Sequence, residues 1–348
     1  MTPPLTRELL RRFPKAELHC HLDGSVRPQT LLELAREQGQ PMPRDDAASL
    51  GRYMLVQDAR DLDEYLQRFS VTLSVMQTAP ALERIAYELA VDAHADGVRY
   101  LEVRYSPILN VRHGLSLGEA VEAPLRGLRR AERELGIVSR VIVCAIRSMA
   151  PDVSLELAEL AAAYRKEGVV GFDLAGGEAG HPAALHERAF RHAHKHDVPC
   201  TCHAGEGHGP ESVRQALHSC CADRIGHGTR IHEDPELLDY VNDRRIPVEI
   251  CLTSNVQTHA AASYATHPFR LYYDRGLNVV LNTDNRLMSG VTLTDEYEHA
   301  ARHLGFTFDE LARVTLNGFE SAFLPYGQRR ALAAAAEREI AALRRETA

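Results

Sequence analysis

Eight short apolar runs, each ending in polar residues, set the strongest constraint on how this 348-residue chain can fold. They span 16–22, 98–107, 138–146, 169–176, 198–205, 223–228, 246–255 and 277–284. Between them lie amphipathic stretches with helical spacing, among them 82–96, 155–167 and 184–196. Strands alternating with helices of this length form βα units and a parallel sheet. An open doubly wound sheet has a similar rhythm. Eight units over about 270 residues favour a closed (β/α)8 barrel of the TIM type, an α/β fold. The stretch from about 41 to 80 is too long for one βα connection and reads as a helical insertion after the first strand. Residues from about 305 to 348 read as extra helices packed outside the barrel. With no low-complexity linker and no internal repeat, residues 1–348 are expected to form a single domain.

Composition narrows the class further. Apolar residues make up 45% and charged residues 25%, the balance of a soluble globular protein. A chain this long buries about 75% of its unfolded surface and needs no disulfide or metal to fold. A net charge of −8 argues against nucleic acid or an anionic membrane as the main partner. No apolar run reaches the ~18 residues of a membrane span, and the opening MTPPLTRELLRRFPK lacks a signal-peptide core. Seven cysteines, with Cys220 and Cys221 adjacent, suit free thiols in a reducing compartment. A cytoplasmic location is expected.

The placement of ionisable residues within the apolar runs carries the functional information. His19 and His21 are one residue apart in the first strand, so both side chains share a face and can grip one ion. His203 and Glu206 close the fifth run, His227 the sixth and Asp284 the eighth. Barrel enzymes draw their catalytic groups from such C-terminal strand ends. His19, His21, His203 and Asp284 together make three imidazoles and one carboxylate. That set suits Zn2+, while ligand type alone leaves Fe2+, Co2+ and Mn2+ open. Other candidates read as ordinary structure. His192, His194 and His196 lie on a polar helix, and Cys200 and Cys202 lack the His-x-Glu partner of the deaminases that act on nucleic-acid bases. The glycines of 171–180 match no phosphate-loop spacing.

The motifs PKAELHCHLDG (14–24), LEVRYSP (101–107), FDLAGGE (172–178), HAGE (203–206), RIGHG (224–228) and NTDN (282–285) occur in that order. In this the chain resembles the adenosine deaminases of the metal-dependent amidohydrolase superfamily, from about residue 10 to 330. The resemblance implies one zinc per chain on His19, His21, His203 and Asp284. It makes Glu206 the proton donor and His227 the residue that orients or deprotonates the zinc-bound water. It also implies that Asp23 meets the ribose 5′-hydroxyl, that the Gly176 N–H meets purine N3, and that His21 borders the sugar. The insertion near 45–80 corresponds to the family's helical lid, with DLDEYLQRFSVTLSVMQ as apolar cover. Many family members carry a second Asp after strand eight. Here that position is Asn285, whose amide can donate to purine N7.

The chemistry implied is hydrolytic deamination of adenosine or a close 6-aminopurine nucleoside, with zinc lowering the pKa of its bound water toward ~7. Adenine, an N6-substituted adenine nucleotide and aminodeoxyfutalosine are alternatives by the same mechanism. Two other classes remain: a metal-dependent hydrolase of amides or phosphoesters, and a catalytically dead relative. Two-metal hydrolases usually need a barrel lysine, and the only lysines are Lys15, Lys166 and Lys195. A dead relative is expected to lack Glu206 or a ligand, and all are present.

Overall fold

The computed structural model describes residues 5–56 and 68–347. The strands are β1 (Lys15–His21), β2 (Val98–Tyr105), β3 (Val138–Ile146), β4 (Val169–Ala175), β5 (Thr201–Ala204), β6 (Arg224–His227), β7 (Val248–Ile250) and β8 (Val279–Leu281). All pair in parallel, as two four-stranded sheets in the orders β1-β2-β3-β4 and β5-β6-β7-β8. Both faces are covered, which is why the strands read as continuous apolar runs and not as alternating ones.

Two seams join the sheets into a ring. Phe172 of β4 bridges Cys200, just ahead of β5, and the Phe172 N–H donates to the Pro199 carbonyl at 3.0 Å. At the other seam Cys20 of β1 bridges Asp284, beyond the end of β8. There the His21 N–H donates to the Asp284 carbonyl at 2.7 Å, and the Asp284 N–H donates to the His19 carbonyl at 3.0 Å. Because β8 is short, a side chain completes this seam: Asn282 Oδ1 accepts from the amides of Leu18 at 2.8 Å and His19 at 3.1 Å.

The seventh apolar run, 246–255, is not one strand. It gives β7 and then turns into the helix Leu252–Gln257. The cause is distant in sequence. Glu296 accepts from the first amides of that helix, Leu252 at 2.7 Å and Thr253 at 3.1 Å, and so satisfies donors that a strand would have spent on a ladder.

Between β1 and β2 lie the helices Pro28–Gln38, Ala47–Met54, Phe69–Val75 and Ala79–Ala95. These occupy much of the expected 41–80 insertion, of which 57–67 lies outside the described residues. The insertion is tied to the loop after β8, where the Val56 N–H donates to the Met288 carbonyl at 2.9 Å. The helices Phe308–Ser321 and Tyr326–Thr347 follow the barrel. Phe319, Ala322 and Leu324 pack with Ala16, Leu18, Tyr100 and Val280 in a hydrophobic cluster of their own. Phe323 stacks against the guanidinium of Arg224, the first residue of β6, at 3.5 Å. Among the described residues no helix is long and apolar enough to cross a membrane.

Candidate active site

Four ligand atoms converge where β1, β5 and β8 end. One atom each from His19, His21, His203 and Asp284 lies within 4.8 Å of the other three. His21 Nε2 is 3.1 Å from His203 Nε2. Asp284 Oδ1 is 3.2 Å from His19 Nε2 and 3.4 Å from His21 Nε2.

The ring orientations are set from behind. His19 Nδ1 is 2.9 Å from Glu249 Oε2, and His203 Nδ1 is 3.2 Å from Asp173 Oδ1. Each carboxylate accepts a hydrogen bond from Nδ1–H, which leaves Nε2 as a lone pair facing the cluster, the arrangement that orients metal-bound histidines. His19 Nε2 is buried and has no hydrogen-bond partner. Lone pairs packed this closely, with a carboxylate among them, fit a bound divalent cation. Ser254 Oγ donates to Asp284 Oδ2 at 2.7 Å and fixes the carboxylate. Arg104, fully buried, joins the two supporting acids, at 3.0 Å from Asp173 and 2.8 Å from Glu249.

The backbone makes room for this cluster. A Cβ at Gly226 would lie 3.1 Å from His19 Cε1 and 3.2 Å from His203 Cα, so a side chain there would crowd the ring of His19 and the backbone of His203. His227 and Asp284 both hold positive φ, 63° and 61°. Such strain in non-glycine residues persists where surrounding contacts over-determine the conformation.

The cluster opens into a cavity of about 320 Å³ lined by His21, Asp23, Gly176, His203, Glu206, His227, Asp284 and Asn285. Phe69, Leu73, Leu109 and Ile146 supply an apolar wall, and Arg112 stands in the same lining. The structure therefore brings every site residue read from the sequence to this cavity or, for His19, to its floor. Of the expected cover 61–77, Phe69 and Leu73 contribute, while 61–67 lies outside the described residues.

Glu206 is strongly perturbed in this wall. Burial, reinforced by Asp284 and Glu178, pushes its carboxyl well above the usual carboxylate range. Its Oε1 accepts from Thr258 Oγ1 at 3.0 Å, and Oε2 is 3.5 Å from His227 Nε2. Burial also pushes the Asp23 carboxyl up to about 7, and Asp23 Oδ1 has no partner. Burial lowers the imidazoles of His21, His203 and His227 and favours their neutral rings. Gly176 follows β4 and lines the cavity at φ 100°, a conformation open at little cost only to glycine. Asn285 Oδ1 is buried without a partner, and any side chain at Gly24 would overlap it.

Several residues at the site escaped the sequence reading. Glu178 accepts from three consecutive amides, Gly205 at 3.0 Å, Glu206 at 2.8 Å and Gly207 at 3.1 Å, and so shapes the turn that carries Glu206. Asp173, Glu249 and Arg104 are charged residues inside otherwise apolar runs, a signal that was available. Ser106 lines the cavity with a buried hydroxyl that has no partner. Asn255 and His267 carried no local signal.

Comparison with known proteins places the chain. The family model described as adenosine deaminase matches residues 14–338. The chain is 46% identical to adenosine deaminase 1 of Streptomyces coelicolor over 341 residues, 93% of this chain and 86% of that protein. It is 43% identical to a probable adenosine deaminase of Dictyostelium discoideum over 92% of its own length, and spans 42% of that longer protein. Among solved structures, the adenine deaminase of Arthrobacter aurescens has a TM-score of 0.88 at 26% identity, covering 94% of this chain and 99% of that one. A zinc-bound amidohydrolase from Burkholderia ambifaria has a TM-score of 0.87 at 30% identity, covering 97% and 93%. The Arabidopsis N6-mAMP deaminase has a TM-score of 0.84 at 29% identity, covering 95% and 99%.

Proposed function

Because this chain belongs to the adenosine deaminase family of metal-dependent hydrolases, we propose that it hydrolyses adenosine or a close 6-aminopurine nucleoside to the 6-oxopurine and ammonia. The observation that carries this reading is the meeting of three imidazole nitrogens and one carboxylate, beside a carboxyl whose pKa burial raises. We assign one zinc per chain to His19, His21, His203 and Asp284, supported by the donor set and by the zinc in the Burkholderia relative. A metal held there supplies hydroxide near neutral pH by lowering the pKa of water.

The chain's own residues account for the rest of the reaction. Asp284 and His227 flank the position from which water adds to C6 of the purine. Glu206, neutral in its buried place, gives its proton to N1 and makes C6 a better electrophile. Water oxygen bonds to C6, one of its protons restoring Glu206 and the other passing to the amine; the C6–N bond breaks, and ammonia leaves. Asn285 donates to N7, the Gly176 N–H to N3, and Asp23 meets the sugar 5′-hydroxyl, with His21 bordering the ribose. These contacts hold the ring so that C6 faces the attacking oxygen. The apolar wall of Phe69, Leu73 and Leu109 excludes water from the base.

A second reading is a substrate with an acidic group beyond the ribose, such as an N6-substituted adenine nucleotide or aminodeoxyfutalosine. The exposed Arg112 in the cavity lining favours it. The chemistry is the same. A single-domain enzyme in the cytoplasm is part of this proposal, supported by the continuous barrel and by seven cysteines that are all free.

The test is ammonia release from adenosine, 2′-deoxyadenosine, adenine, N6-methyl-AMP and aminodeoxyfutalosine. A kcat/KM highest for adenosine or deoxyadenosine supports the first reading, and one highest for an acidic substrate supports the second. No ammonia from any of the five, with hydrolysis of an amide or phosphoester instead, overturns both.

A further inference from the structure

His227 is held from behind by a chain of side chains whose polarity can be read from one end. That end is a backbone amide. The Phe269 N–H, which can only donate, points at His267 Nδ1 at 3.0 Å. Nδ1 of His267 is therefore the acceptor, and a neutral ring must carry its proton on Nε2. Burial keeps the ring neutral by pushing His267 down to about 3.

The next link follows. His267 Nε2 is 3.2 Å from Asn255 Oδ1, so its N–H donates there and the Asn255 carbonyl oxygen must face it. This orientation sends the Asn255 amide the other way, 2.9 Å from His227 Nδ1. An amide NH2 only donates, so His227 Nδ1 is an acceptor and its own proton is on Nε2. That nitrogen belongs to a cavity-lining residue and lies 3.5 Å from Glu206 Oε2. Asn255 and His267 are both buried, which makes a reversed amide costly: the Asn255 NH2 would then face the His267 Nε2–H, donor against donor, away from solvent.

We propose that Asn255 and His267 are positioning residues whose hydrogen-bond relay, starting at the Phe269 amide, holds His227 as its Nε2–H form. The inference rests on the deaminase reading for its consequence. His227 donates a hydrogen bond to the oxygen adding to C6, and its Nδ1 lone pair is already occupied. Of the two roles the family resemblance leaves open, the relay selects orientation over deprotonation. Neither Asn255 nor His267 touches the substrate.

The test has two arms, both on the full chain loaded with Zn2+. Nitrogen NMR of histidine-labelled protein reads the tautomer directly, with the His227 signals assigned by their loss in His227→Gln. The relay requires a proton-free Nδ1 and a protonated Nε2 on His227; a protonated Nδ1 in the wild type overturns it. This arm does not depend on turnover, so it can fail while deamination of adenosine stands.

The second arm is Asn255→Asp, which keeps the shape and the bond from His267 but presents an acceptor to His227. It is expected to move a proton onto His227 Nδ1 and to lower kcat on adenosine about 10²-fold, the scale of losing one oriented donor to a developing oxyanion. KM and zinc content should stay near wild type. A kcat within threefold of wild type with the tautomer reversed overturns the functional part of the inference. So does a loss of kcat with the tautomer unchanged.

Discussion

At the scale of single residues, proton delivery and metal binding fall to different side chains. Glu206 needs its raised pKa to be an acid, and that rise comes from burial first and from Asp284 and Glu178 after it. Glu206→Gln keeps the size and the Thr258 bond but has no proton to give. We expect kcat to fall by about 10²–10⁴, with metal content and inhibitor affinity retained. The pH dependence follows in sign: the acid form is the active one, so kcat falls as pH rises through the raised pKa of Glu206. That alkaline limb should be missing from the residual activity of Glu206→Gln. Asn285 is the other informative position. Losing its donor to N7 should cost about 1–3 kcal/mol, or ~5–150-fold in kcat/KM. The control is the 7-deaza substrate: wild type should lose substantially more than Asn285→Ala when N7 is removed. Equal losses would make Asn285 a turn residue only.

At the scale of elements, the site depends on strands tied together beneath it. Arg104 of β2 reaches Asp173 of β4 and Glu249 of β7, both fully buried, and these acids hold His203 and His19. Although burial disfavours its charge, Arg104 and Arg224 hold the Glu249 carboxyl well below the usual carboxylate range. Arg104→Met would leave two buried carboxylates short of a partner. A loss of about 3–5 kcal/mol in denaturant unfolding is expected. A depressed carboxylate contributes stability that is present above its unfolded pKa and lost as pH falls, so the variant should also unfold at a higher pH during acid titration. These connections explain what the sequence could and could not reveal. The strand rhythm and the ionisable residues at strand ends are local signals. His19, His21, His203, Glu206, His227 and Asp284 are legible because each lies within or directly after an apolar run. Asn255 and His267 are not: the run 246–255 reads as one strand until Glu296, 44 residues after Leu252, caps a helix that begins within it, and His267 lies outside every run. Glu178 was visible only as a letter in a motif, and its grip on three amides exists only once β4 and β5 are adjacent.

At the scale of the whole molecule, the four proposed ligands sit on or just beyond three strands drawn from both sheets, so metal binding there would be coupled to barrel closure. His19 and Asp284 even share a backbone hydrogen bond at 3.0 Å across the β8–β1 seam. A metal bound only by the folded chain adds stability in proportion to its affinity, so chelation should lower Tm and restored Zn2+ should recover it. His19→Ala should show reduced metal content together with reduced activity. Full occupancy in that variant would remove His19 from the ligand set. The central claim is that one metal, on these four residues, is required for hydrolysis of the C6 amine. Its most direct test is the rate of ammonia release from adenosine as Zn2+ is titrated into chelator-stripped protein. No release at the start, a linear rise and a break at one equivalent per chain are expected. Full activity in the stripped protein, or a break at two equivalents, would contradict the claim.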